Sequence, residues 1–354
     1  MTFENLLAIV VPHSFFVPVS PGTQYATLGG GLANDVHGKN HHFEGSFGNH
    51  IISFKLFRNG EVIECSRKKN ADIFRATIGG LGLTGFVISV KIKLKKIVNA
   101  FIDVESIKFN SLEEFFLLSE ESETKYEYLV SWIDCTSSKK NLCNGIFSRG
   151  NHSDDNNLGN SIQNKLNITY PFRQKRSFVN QYTLKPFNFV YYNKQIRKTV
   201  KSTEYYKNFF YPLDSIKKWN NIYGSNGFLQ HQSLIPKENA IKNLSKMLKL
   251  IRESKQGSFL VVLKVMGNIK SEGIMSFPSE GVTLAIDFAF RGTSTLELFK
   301  KLNEIVMSSG GKIYPAKDAC MSSEDFKFAY PNWSTLNKLK DKKITSNFWK
   351  RVTD

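Results

Sequence analysis

Residues 21–48 read PGTQYATLGGGLANDVHGKNHHFEGSFG and are the most informative part of the sequence for the fold. Their prolines and glycines predict turns and tightly curved backbone over most of the segment. Adjacent glycines let the backbone approach a ligand closely, and their N–H groups can form a concavity that holds an anion. No Gly-Lys-Ser/Thr follows as in a Walker loop, and no G-x-G-x-x-G opens a helix after a strand. Two interpretations stay open, a structural turn and a wrap around an extended anionic ligand.

The residues on either side of this segment predict regular elements. Apolar residues within 3–10 recur at i, i+3, i+4 and i+7, with Thr2 as a cap and Pro12 as the end, which predicts an amphipathic helix. The other elements predicted in this part are a hairpin of 51–56 and 61–65 around Asn59-Gly60, and a strand over 86–94 after a second glycine cluster at 79–85.

The last third of the chain shows the clearest alternation of strands and helices. The predicted elements are a strand over 228–234, a helix that begins at Pro236 and ends before Gly257, strands over 259–265 and 283–290, a helix over 295–308 and a strand over 312–316. This β-α-β-β-α-β order is that of a split βαβ, ferredoxin-like sandwich. The predicted fold class is therefore α+β, with an antiparallel sheet.

The composition excludes several classes of protein. Among 354 residues, 48 lysines and arginines stand against 31 acidic residues, which gives a net charge of +17. This excess favours an anionic partner such as a nucleic acid, a membrane surface or a phosphorylated ligand. No run approaches the roughly 18 apolar residues of a membrane span. The four cysteines (Cys65, Cys135, Cys143 and Cys320) show no CxxC spacing, so we expect a cytoplasmic chain with reduced cysteines.

A basic, aromatic-rich segment runs from Lys165 to Lys201. No acidic residue occurs between Asp155 and Glu204, whereas lysine, arginine, tyrosine and phenylalanine recur throughout. Three interpretations stay open: a solvated excursion, a contact with a membrane surface, and a platform for single-stranded nucleic acid. No nucleic-acid-binding motif accompanies the segment, so we predict no nucleic-acid partner.

The segment 21–48 resembles the FAD-binding segment of the vanillyl-alcohol oxidase/p-cresol methylhydroxylase superfamily. Within it, D-V-H-G-K-N-H-H at 35–42 is similar to the decaprenylphosphoryl-β-D-ribose oxidases. The likeness continues in A-T-I-G-G (76–80), G-L-T-G (82–85), F-Y-P-L-D (210–214), F-L-Q-H-Q (228–232), L-K (263–264), S-F-P (276–278) and Y-P-A-K-D (314–318). The resemblance therefore covers nearly the whole chain.

The resemblance implies a division of the chain into domains. A PCMH-type FAD-binding domain would occupy 1–98, a substrate-binding cap domain 99–311, and a C-terminal return to the FAD domain 312–354. The first FAD subdomain, whose loop holds half of the pyrophosphate, would be missing. The chain would then be a fragment, the product of a misplaced start or half of a split protein. We expect weak FAD retention and aggregation through the face meant for that subdomain.

The resemblance also implies that FAD is the cofactor, with Lys317 and His37 as catalytic residues. His37 would lie beside the isoalloxazine, at a position that is covalently attached in some relatives but not in the ribose oxidases. Lys317 would contact the flavin ring, where an ammonium stabilises the negative charge of the reduced ring. From the residues alone, His37 could be a turn histidine and Lys317 a solvated lysine at a strand end. The residues predicted to bind the cofactor are Pro21, Gly22, Thr23, Thr27, Gly29, Gly30, Asn34, His37, Gly38, Asn40, Gly79, Gly82, Thr84, Gly85 and Lys317.

A metal site at the histidines of this segment is not predicted. His37 and His41 are four residues apart, the spacing of a metal-binding pair on a helix. Gly38 and Asn40 argue against the helix that such a pair needs. The histidines are therefore assigned to turns and to the flavin, and no metal ligand is assigned.

A substrate cleft is implied by the same resemblance. Lys264 lies within an apolar strand, where an unpaired lysine is costly, so a phosphate partner is plausible. Gln230 and Gln232 alternate with apolar residues and share a face, which is either solvent or the cleft. The residues predicted to bind the substrate are Lys39, Trp132, Tyr211, Gln230, Gln232, Lys264, Thr283, Ala285 and Tyr314.

Two of these positions depart from the family pattern. Ala285 stands where mycobacterial members have a cysteine that is the target of covalent inhibitors and is not needed for hydride transfer. We therefore expect insensitivity to covalent nitroaromatic inhibitors and no effect on catalysis. Thr283 replaces a family asparagine, which changes the fine contacts to the substrate.

The implied activity is FAD-dependent oxidation of the 2′-hydroxyl of a polyprenyl-phosphoryl ribose. This would be the first half of an epimerisation to arabinose in cell-wall polysaccharide biosynthesis, and a separate NAD(P)-dependent short-chain reductase would reduce the ketone. Peripheral contact with the inner membrane face would suit a lipid-linked substrate. The alternatives are an aldonolactone or sugar-alcohol oxidase of the same fold, a non-catalytic remnant, and a nucleic-acid binder.

Overall fold

The computed structural model describes residues 1–137, 143–160, 168–172, 174–318 and 320–354. Its helices are α1 (Phe3–Val10), α2 (Leu28–Ala33), α3 (His41–Glu44), α4 (Ala71–Thr77), α5 (Leu112–Ser122), α6 (Gln181–Asn193), α7 (Tyr206–Phe210), α8 (Ala240–Ser254), α9 (Thr293–Ser308), α10 (Ser323–Ala329), α11 (Trp333–Leu339) and α12 (Asn347–Thr353). Its strands are β1 (Phe15–Phe16), β2 (Ile51–Arg58), β3 (Glu61–Ser66), β4 (Phe86–Ile92), β5 (Lys95–Lys96), β6 (Phe101–Phe109), β7 (Tyr128–Ile133), β8 (Gly145–His152), β9 (Ile168–Thr169), β10 (Thr199–Tyr205), β11 (Ile216–Lys217), β12 (Phe228–Ile235), β13 (Val261–Met266), β14 (Gly281–Ala289) and β15 (Lys312–Ile313). This mixture of helices and mainly antiparallel sheets confirms the α+β class.

The largest sheet has the strand order β10-β6-β8-β7-β13-β14-β12-β15, and all neighbouring strands are antiparallel. Along the chain its second half reads β12-α8-β13-β14-α9-β15, which is the predicted β-α-β-β-α-β order. Because β14 lies between β12 and β13, those two strands run parallel without touching, as in a split βαβ unit. Helices α8 and α9 bury apolar residues such as Leu244 and Leu302 against one face of these strands.

The N-terminal part of the chain forms a separate three-stranded antiparallel sheet in the order β3-β2-β4. The predicted hairpin is confirmed, with Asn59 at φ 51° and Gly60 at φ 93° between β2 and β3. The predicted first helix is α1, whose cap Thr2 accepts a hydrogen bond from the Asn5 N–H at 3.2 Å. The buried aromatic residues of this region are Phe3, Phe16, Phe47, Phe54 and Phe74.

The glycine-rich segment is more regular than predicted. Leu28–Ala33 forms the helix α2 although it contains three glycines, which are poor helix formers. Thr27 caps this helix by accepting a hydrogen bond from the Gly30 N–H at 3.0 Å. A Cβ at Gly31 would lie about 3.0 Å from the Phe3 ring, so glycine lets α2 pack closely on α1. Tertiary packing and capping therefore outweigh the low helix propensity.

The predicted strand over 312–316 is too long. The strand β15 ends at Ile313, and Pro315–Lys317 forms a 3-10 turn instead. Proline has no N–H to donate to a neighbouring strand, and its fixed φ suits the start of such a turn. Lys317 therefore lies at the end of a turn and not at the end of a strand.

The C-terminal helices pack against both parts of the molecule. Phe326 of α10 and Trp349 of α12 join the apolar core beneath α8 and α9. The hairpin of the small sheet is held by Asp341, which accepts a hydrogen bond from the Asn59 N–H at 2.7 Å. The domain boundaries at 98/99 and 311/312 stay a prediction. Across the described ranges, none of the helices has both the length and the apolar character needed to cross a membrane.

Candidate active site

One face of the large sheet carries a group of polar side chains among apolar ones. On β13, Val261 and Leu263 point into the core beneath α8 and α9. Because side chains alternate along a strand, Val262 and Lys264 point to the opposite face. The register of β7, β13, β14 and β12 places further side chains beside them on that face. The residues of this polar face are Trp132, Gln230, Gln232, Val262, Lys264, Thr283, Ala285 and Asp287.

His37 of the glycine-rich segment meets the middle of the polar face. Its Nδ1 lies 2.9 Å from Lys264 Nζ, and its Nε2 lies 2.9 Å from the Gln232 side-chain amide. The same end of the Gln232 amide lies 3.2 Å from Thr283 Oγ1. The Tyr314 ring lies 5.8 Å from the His37 ring and donates its hydroxyl hydrogen to a backbone carbonyl at 3.0 Å. Five residues predicted for the site are therefore brought together from distant parts of the sequence.

The number of donors around His37 fixes the form of its ring. Lys264 ammonium can only donate, so Nδ1 of His37 accepts and Nε2 carries the proton of a neutral imidazole. Nε2 then donates to Gln232 when the side-chain amide is turned by 180°, so that its oxygen faces both His37 Nε2 and the Thr283 hydroxyl and accepts from both. Burial and the nearby Lys264 charge hold the pKa of His37 well below its usual range, which keeps the ring neutral.

Two lysines beside this cluster, the buried Lys264 and the half-buried Lys39, form no ion pair with a carboxylate among the described residues. Lys264 donates to the Gly38 carbonyl as well as to His37, and burial followed by the charge of Lys39 lowers its pKa to about 7. Lys39 donates to the Phe209 carbonyl and lies 4.1 Å from the centre of the Phe209 ring. Burial lowers the pKa of Lys39 to about 8. Such cations are stabilised by an anionic ligand, which would raise both pKa values.

A second polar group lies further along the same face. Gln230 donates a hydrogen bond to the Asp287 carboxylate. Burial raises the pKa of Asp287 to about 6, although the hydrogen bond from Gln230 and the charge of Lys317 act to lower it. Burial lowers the pKa of Lys317, and the charge of Asp287 raises it. Lys317 also acts electrostatically on His37. Asp287 was not predicted from the sequence, although its alternation with Thr283 and Ala285 in an apolar strand is a signal that could have found it.

The Pro21-Gly22-Thr23 turn is anchored by the F-Y-P-L-D motif at 210–214. Asp214 accepts hydrogen bonds from Thr23 Oγ1 at 3.2 Å and from the Gln24 N–H at 2.8 Å. The buried hydroxyl of Tyr211 shares a hydrogen bond with Ser20. Tyr211, predicted to bind the substrate, therefore lies against the start of the glycine-rich turn and not on the polar face.

Several residues predicted to bind the cofactor have local structural partners. Asn34 Nδ2 donates to the Gly30 carbonyl at 2.9 Å, and Asn40 Nδ2 donates to the Pro18 carbonyl at 2.8 Å. Thr84 is buried and shares a hydrogen bond of 2.9 Å with Thr77. Gly29 packs on Val87. Three further predicted glycines lie so close to a neighbouring residue that a Cβ would crowd it: Gly38 against Ser20, Gly79 at φ 71° against Ser276, and Gly85 at φ 149° against Phe57. These residues shape the site, and their contact with a cofactor stays a prediction.

The histidines do not form a metal centre in the part of the chain that the structure describes, where no three His, Cys, Asp or Glu side chains could hold an ion. His41 begins α3 and is fully buried. Burial and the nearby charge of Lys264 lower the pKa of His41 to about 3. His41 is thus a second neutral imidazole near Lys264.

The chain is 33% identical to decaprenylphosphoryl-β-D-ribose oxidase of Mycolicibacterium smegmatis over 343 residues, which are 94% of this chain and 73% of the oxidase. The chain belongs to the family of this oxidase, a family of FAD-binding oxidoreductases. An uncharacterized protein of Streptomyces coelicolor is 22% identical over 96% of this chain and 95% of its own length. Cytokinin dehydrogenase 3 of Arabidopsis thaliana is 33% identical over 72 residues, which are 20% of this chain and 14% of that enzyme. No protein-family model matches the chain.

The glycine turns of the site have room for the FAD that this family implies. A Cβ added at Gly22 or Gly82 would meet no atom within 4 Å, so both turns present open backbone to a ligand. The turn at 79–82 is joined to the end of α2, where the Leu81 N–H donates to the Ala33 carbonyl at 2.8 Å. Open glycine backbone is the kind of surface that approaches a phosphate group closely.

The charged groups of the site also suit a flavin. The next residue after α2, Asn34, accepts the Tyr314 hydroxyl, so the glycine turn at 79–82 lies beside the His37 cluster. The ammonium of Lys317 is a group that stabilises negative charge on a reduced flavin ring. The residues present therefore fit the cofactor.

Proposed function

We propose that this oxidoreductase oxidises the 2′-hydroxyl of a polyprenyl-phosphoryl ribose to a ketone, with FAD as its cofactor. The observation that carries the proposal is Lys264, a buried ammonium next to His37 that forms no ion pair within the described residues. A buried cation without a counter-ion favours an anionic ligand, and a phosphate linked to the sugar supplies one. The similarity to an oxidase named for decaprenylphosphoryl-β-D-ribose supports the sugar and the lipid phosphate.

The residues of the polar face would divide the substrate among them. Lys264, with Lys39 behind it, would bind the phosphate through charge-assisted hydrogen bonds. Gln232 and Thr283 would orient the sugar hydroxyls, since both present polar atoms beside His37. Trp132 would bound the cleft at the other end of the face. The small side chain of Ala285, which lies between Gln232 and Trp132 on this face, leaves room for the sugar ring.

The cofactor would be held by residues of three segments. We assign the flavin ring to His37, Lys317 and Tyr314, and the phosphates to the open backbone at Gly22 and Gly82. When bound, the flavin supplies the hydride acceptor. The charge of Asp287 favours the protonated form of Lys317 against the effect of burial, and the neutral His37 keeps its N–H directed at Gln232. The proton of the reacting hydroxyl leaves to a base or to water.

A second enzyme would complete the reaction sequence. To give the arabinose configuration, a hydride must be delivered to the opposite face of the ketone. We propose an NAD(P)-dependent short-chain reductase as that partner. Cell-wall polysaccharide biosynthesis is the process that such a product would serve.

The proposal is tested by analysing the product. The purified chain, supplied with FAD, is incubated with polyprenyl-phosphoryl ribose, with a sugar alcohol and with an aldonolactone, and each mixture is analysed by mass spectrometry. We expect a product that has lost two hydrogens only from the lipid-linked ribose, and trapping of its carbonyl by a hydrazine reagent. Oxidation of the sugar alcohol or the aldonolactone in place of the lipid-linked ribose would contradict the proposed substrate.

A further inference from the structure

The helix α6 turns an apolar stripe outward instead of inward. Its outward side chains are Tyr182, Lys185, Pro186, Phe189 and Val190, which follow i, i+3, i+4, i+7 and i+8 spacing on one side of the helix. Tyr182 is 79% exposed, Phe189 68% and Val190 65%. In a helix that only covers a core, these positions carry polar residues. We call this set the α6 outer face.

The opposite side of α6 is firmly attached to the protein. Leu184 and Asn188 are buried, and Asn188 Nδ2 donates to Asp134 Oδ1 at 2.6 Å. The ring of Tyr191 lies 4.6 Å from that of Trp132. Asn180 caps the helix, with its side chain accepting hydrogen bonds from two backbone N–H groups. The α6 outer face is therefore exposed because the other side of the helix packs against the protein, and not because the helix is frayed.

The surroundings of the α6 outer face are positively charged. Lys185, Lys194 and Arg197 are exposed and form no ion pair in the described part of the chain. Lys194 lies 3.9 Å from the centre of the Tyr191 ring. The sequence from 156 to 203 contains no acidic residue to compensate these charges. Two other basic residues of this segment, Lys165 and Arg173, lie outside the described residues.

We propose that the α6 outer face docks on an anionic lipid bilayer. Aromatic and aliphatic side chains on one side of a helix with lysines at its borders are what an interfacial helix presents to acyl chains and to anionic head groups. Apart from Lys185 at its edge, the face is apolar over two turns, from Tyr182 to Val190, and the cations at its edges match the negative surface potential of such a membrane.

Two other occupants fit the observations less well. Single-stranded nucleic acid would use aromatic rings for stacking, but Pro186 and Val190 offer no stacking surface and make up one whole side of the stripe. A second copy of this chain, related by a two-fold axis, would bring the lysine borders of both copies together. In a chain with a net charge of +17, that contact is electrostatically unfavourable.

Docking through α6 would place the membrane at one end of the polar face. The inner side of the helix contacts Trp132 of the polar face. The ring of Phe187 lies 4.5 Å from that of Phe259. Phe259 is itself next to Trp132, because Trp132 Nε1 donates to the Phe259 carbonyl at 2.8 Å. A substrate with a lipid tail could then extend from the bilayer into the cleft. This link between membrane and cleft rests on the proposed function, whereas the docking surface does not.

The proposal is tested by sedimentation of the full chain with lipid vesicles, without any substrate. One set of vesicles contains only phosphatidylcholine, and the other contains equal parts of phosphatidylcholine and phosphatidylglycerol. We expect binding to the anionic vesicles that weakens with salt. The double variant F189S/V190S should bind at least about tenfold more weakly, because it removes two apolar side chains from the interface. K185Q/K194Q should lose about fivefold for each charge removed.

Matched variants on other surfaces provide the controls. F328S replaces a phenylalanine of α10 that is 61% exposed, and K242Q/K246Q removes two exposed lysines of α8. Both should bind vesicles as the unchanged chain does. Equal vesicle binding by F189S/V190S and F328S would overturn the proposal, as would no binding to anionic vesicles at all. Tight binding of a single-stranded DNA oligonucleotide that F189S/V190S abolishes would also overturn it, in favour of nucleic acid.

A second measurement keeps the test independent of overall charge. F189W places a fluorescent indole on the α6 outer face, and brominated lipids quench indoles that enter the acyl region. We expect a blue shift and quenching of F189W on anionic vesicles, and no added quenching for F328W. Sedimentation velocity without lipid provides a further check. If the unchanged chain is a dimer and F189S/V190S is a monomer, the face contacts a second copy of the chain and the proposal is overturned. Vesicle binding with no oxidation of lipid-linked ribose would leave docking standing and refute only the proposed function.

Discussion

The glycine-rich segment 21–48 and the helix α6 direct their side chains in opposite ways. In 21–48 the polar groups point inward, and the buried Asp35 accepts hydrogen bonds from Ser46 Oγ at 2.9 Å and from the Gly48 N–H at 2.8 Å. In α6 the apolar groups point outward, with Phe189 and Val190 in solvent. The first region suits a small polar ligand enclosed by backbone, and the second suits an extended surface. Direction of the side chains, and not composition, distinguishes the two.

The largest expected effect tests the enclosed region at Lys317. Lys317→Ala removes the ammonium assigned to the flavin ring, and we expect kcat to fall by about a hundredfold or more. The measurement is the turnover rate with saturating lipid-linked ribose, bound FAD and an artificial electron-acceptor dye that reoxidises the flavin. Lys338→Ala, on the last turn of α11, is the control and should keep full turnover. A Lys317→Ala variant with unchanged kcat would remove Lys317 from the enclosed site.

The next largest effect concerns Lys264. Lys264→Met keeps the length of the side chain but cannot bind a phosphate, so we expect KM to rise by about tenfold to a hundredfold. The same variant should be more stable to heat, because a buried ammonium without a counter-ion is replaced by an apolar group. Steady-state kinetics and thermal melting measure the two effects. A variant with lower stability and unchanged KM would show that Lys264 is structural.

The pH dependence of stability sharpens the same point. The pKa of Lys264 is about 7 in the folded chain and about 10.4 in an unfolded one. Between these values the unfolded chain binds more protons, so the free energy of unfolding rises with pH. We expect the stability advantage of Lys264→Met over the unchanged chain to shrink from about pH 7 to pH 10 in urea titrations. An advantage that does not change with pH would mean that Lys264 keeps its ordinary pKa. Phosphate binding should show the reverse trend and weaken above about pH 7.

A smaller effect is expected at Asp35, which holds 21–48 together. Asp35→Ala leaves the Gly48 N–H buried without an acceptor, and we expect a loss of about 2 kcal/mol in the free energy of unfolding. Asp35→Asn should lose less, since asparagine also tolerates the positive φ of 42° at this position and retains one acceptor. Urea denaturation measures both. Equal loss in the two variants would assign the effect to backbone and not to the carboxylate.

The smallest effect on folding is expected at the α6 outer face. F189S/V190S changes two exposed side chains, so the free energy of unfolding should change by no more than about 0.5 kcal/mol. The measurement is urea denaturation in the absence of lipid. A loss of several kcal/mol would mean that these side chains are buried in solution and that the contrast with 21–48 is wrong.

The fold was predictable where the periodicity of the sequence was strong. The order β12-α8-β13-β14-α9 follows from alternation and helical spacing, and Asn59-Gly60 determines its hairpin through positive φ values. The helix α2 was missed because glycine has a low helix propensity, and packing on Phe3 together with the Thr27 cap outweighs that propensity. The strand over 312–316 was overestimated because Pro315 ends the pairing.

The candidate site was predictable only in part. The motifs gave His37, Gln232, Lys264 and Thr283, and the structure brings these together. The motifs could not give Asp287 as the partner of Gln230, because that contact depends on the register of β12 and β14. They also could not show that α6 turns its apolar residues outward, since spacing alone does not tell which side of a helix is covered.

The measurement that tests the central claim most directly is the absorbance of the flavin during one turnover without oxygen. The chain is loaded with FAD and mixed with an excess of polyprenyl-phosphoryl ribose, and the visible band is followed in time. We predict that the band bleaches in the unchanged chain and persists in Lys317→Ala with the same amount of bound FAD. A band that persists in the unchanged chain, or that bleaches equally fast in both, would contradict the account.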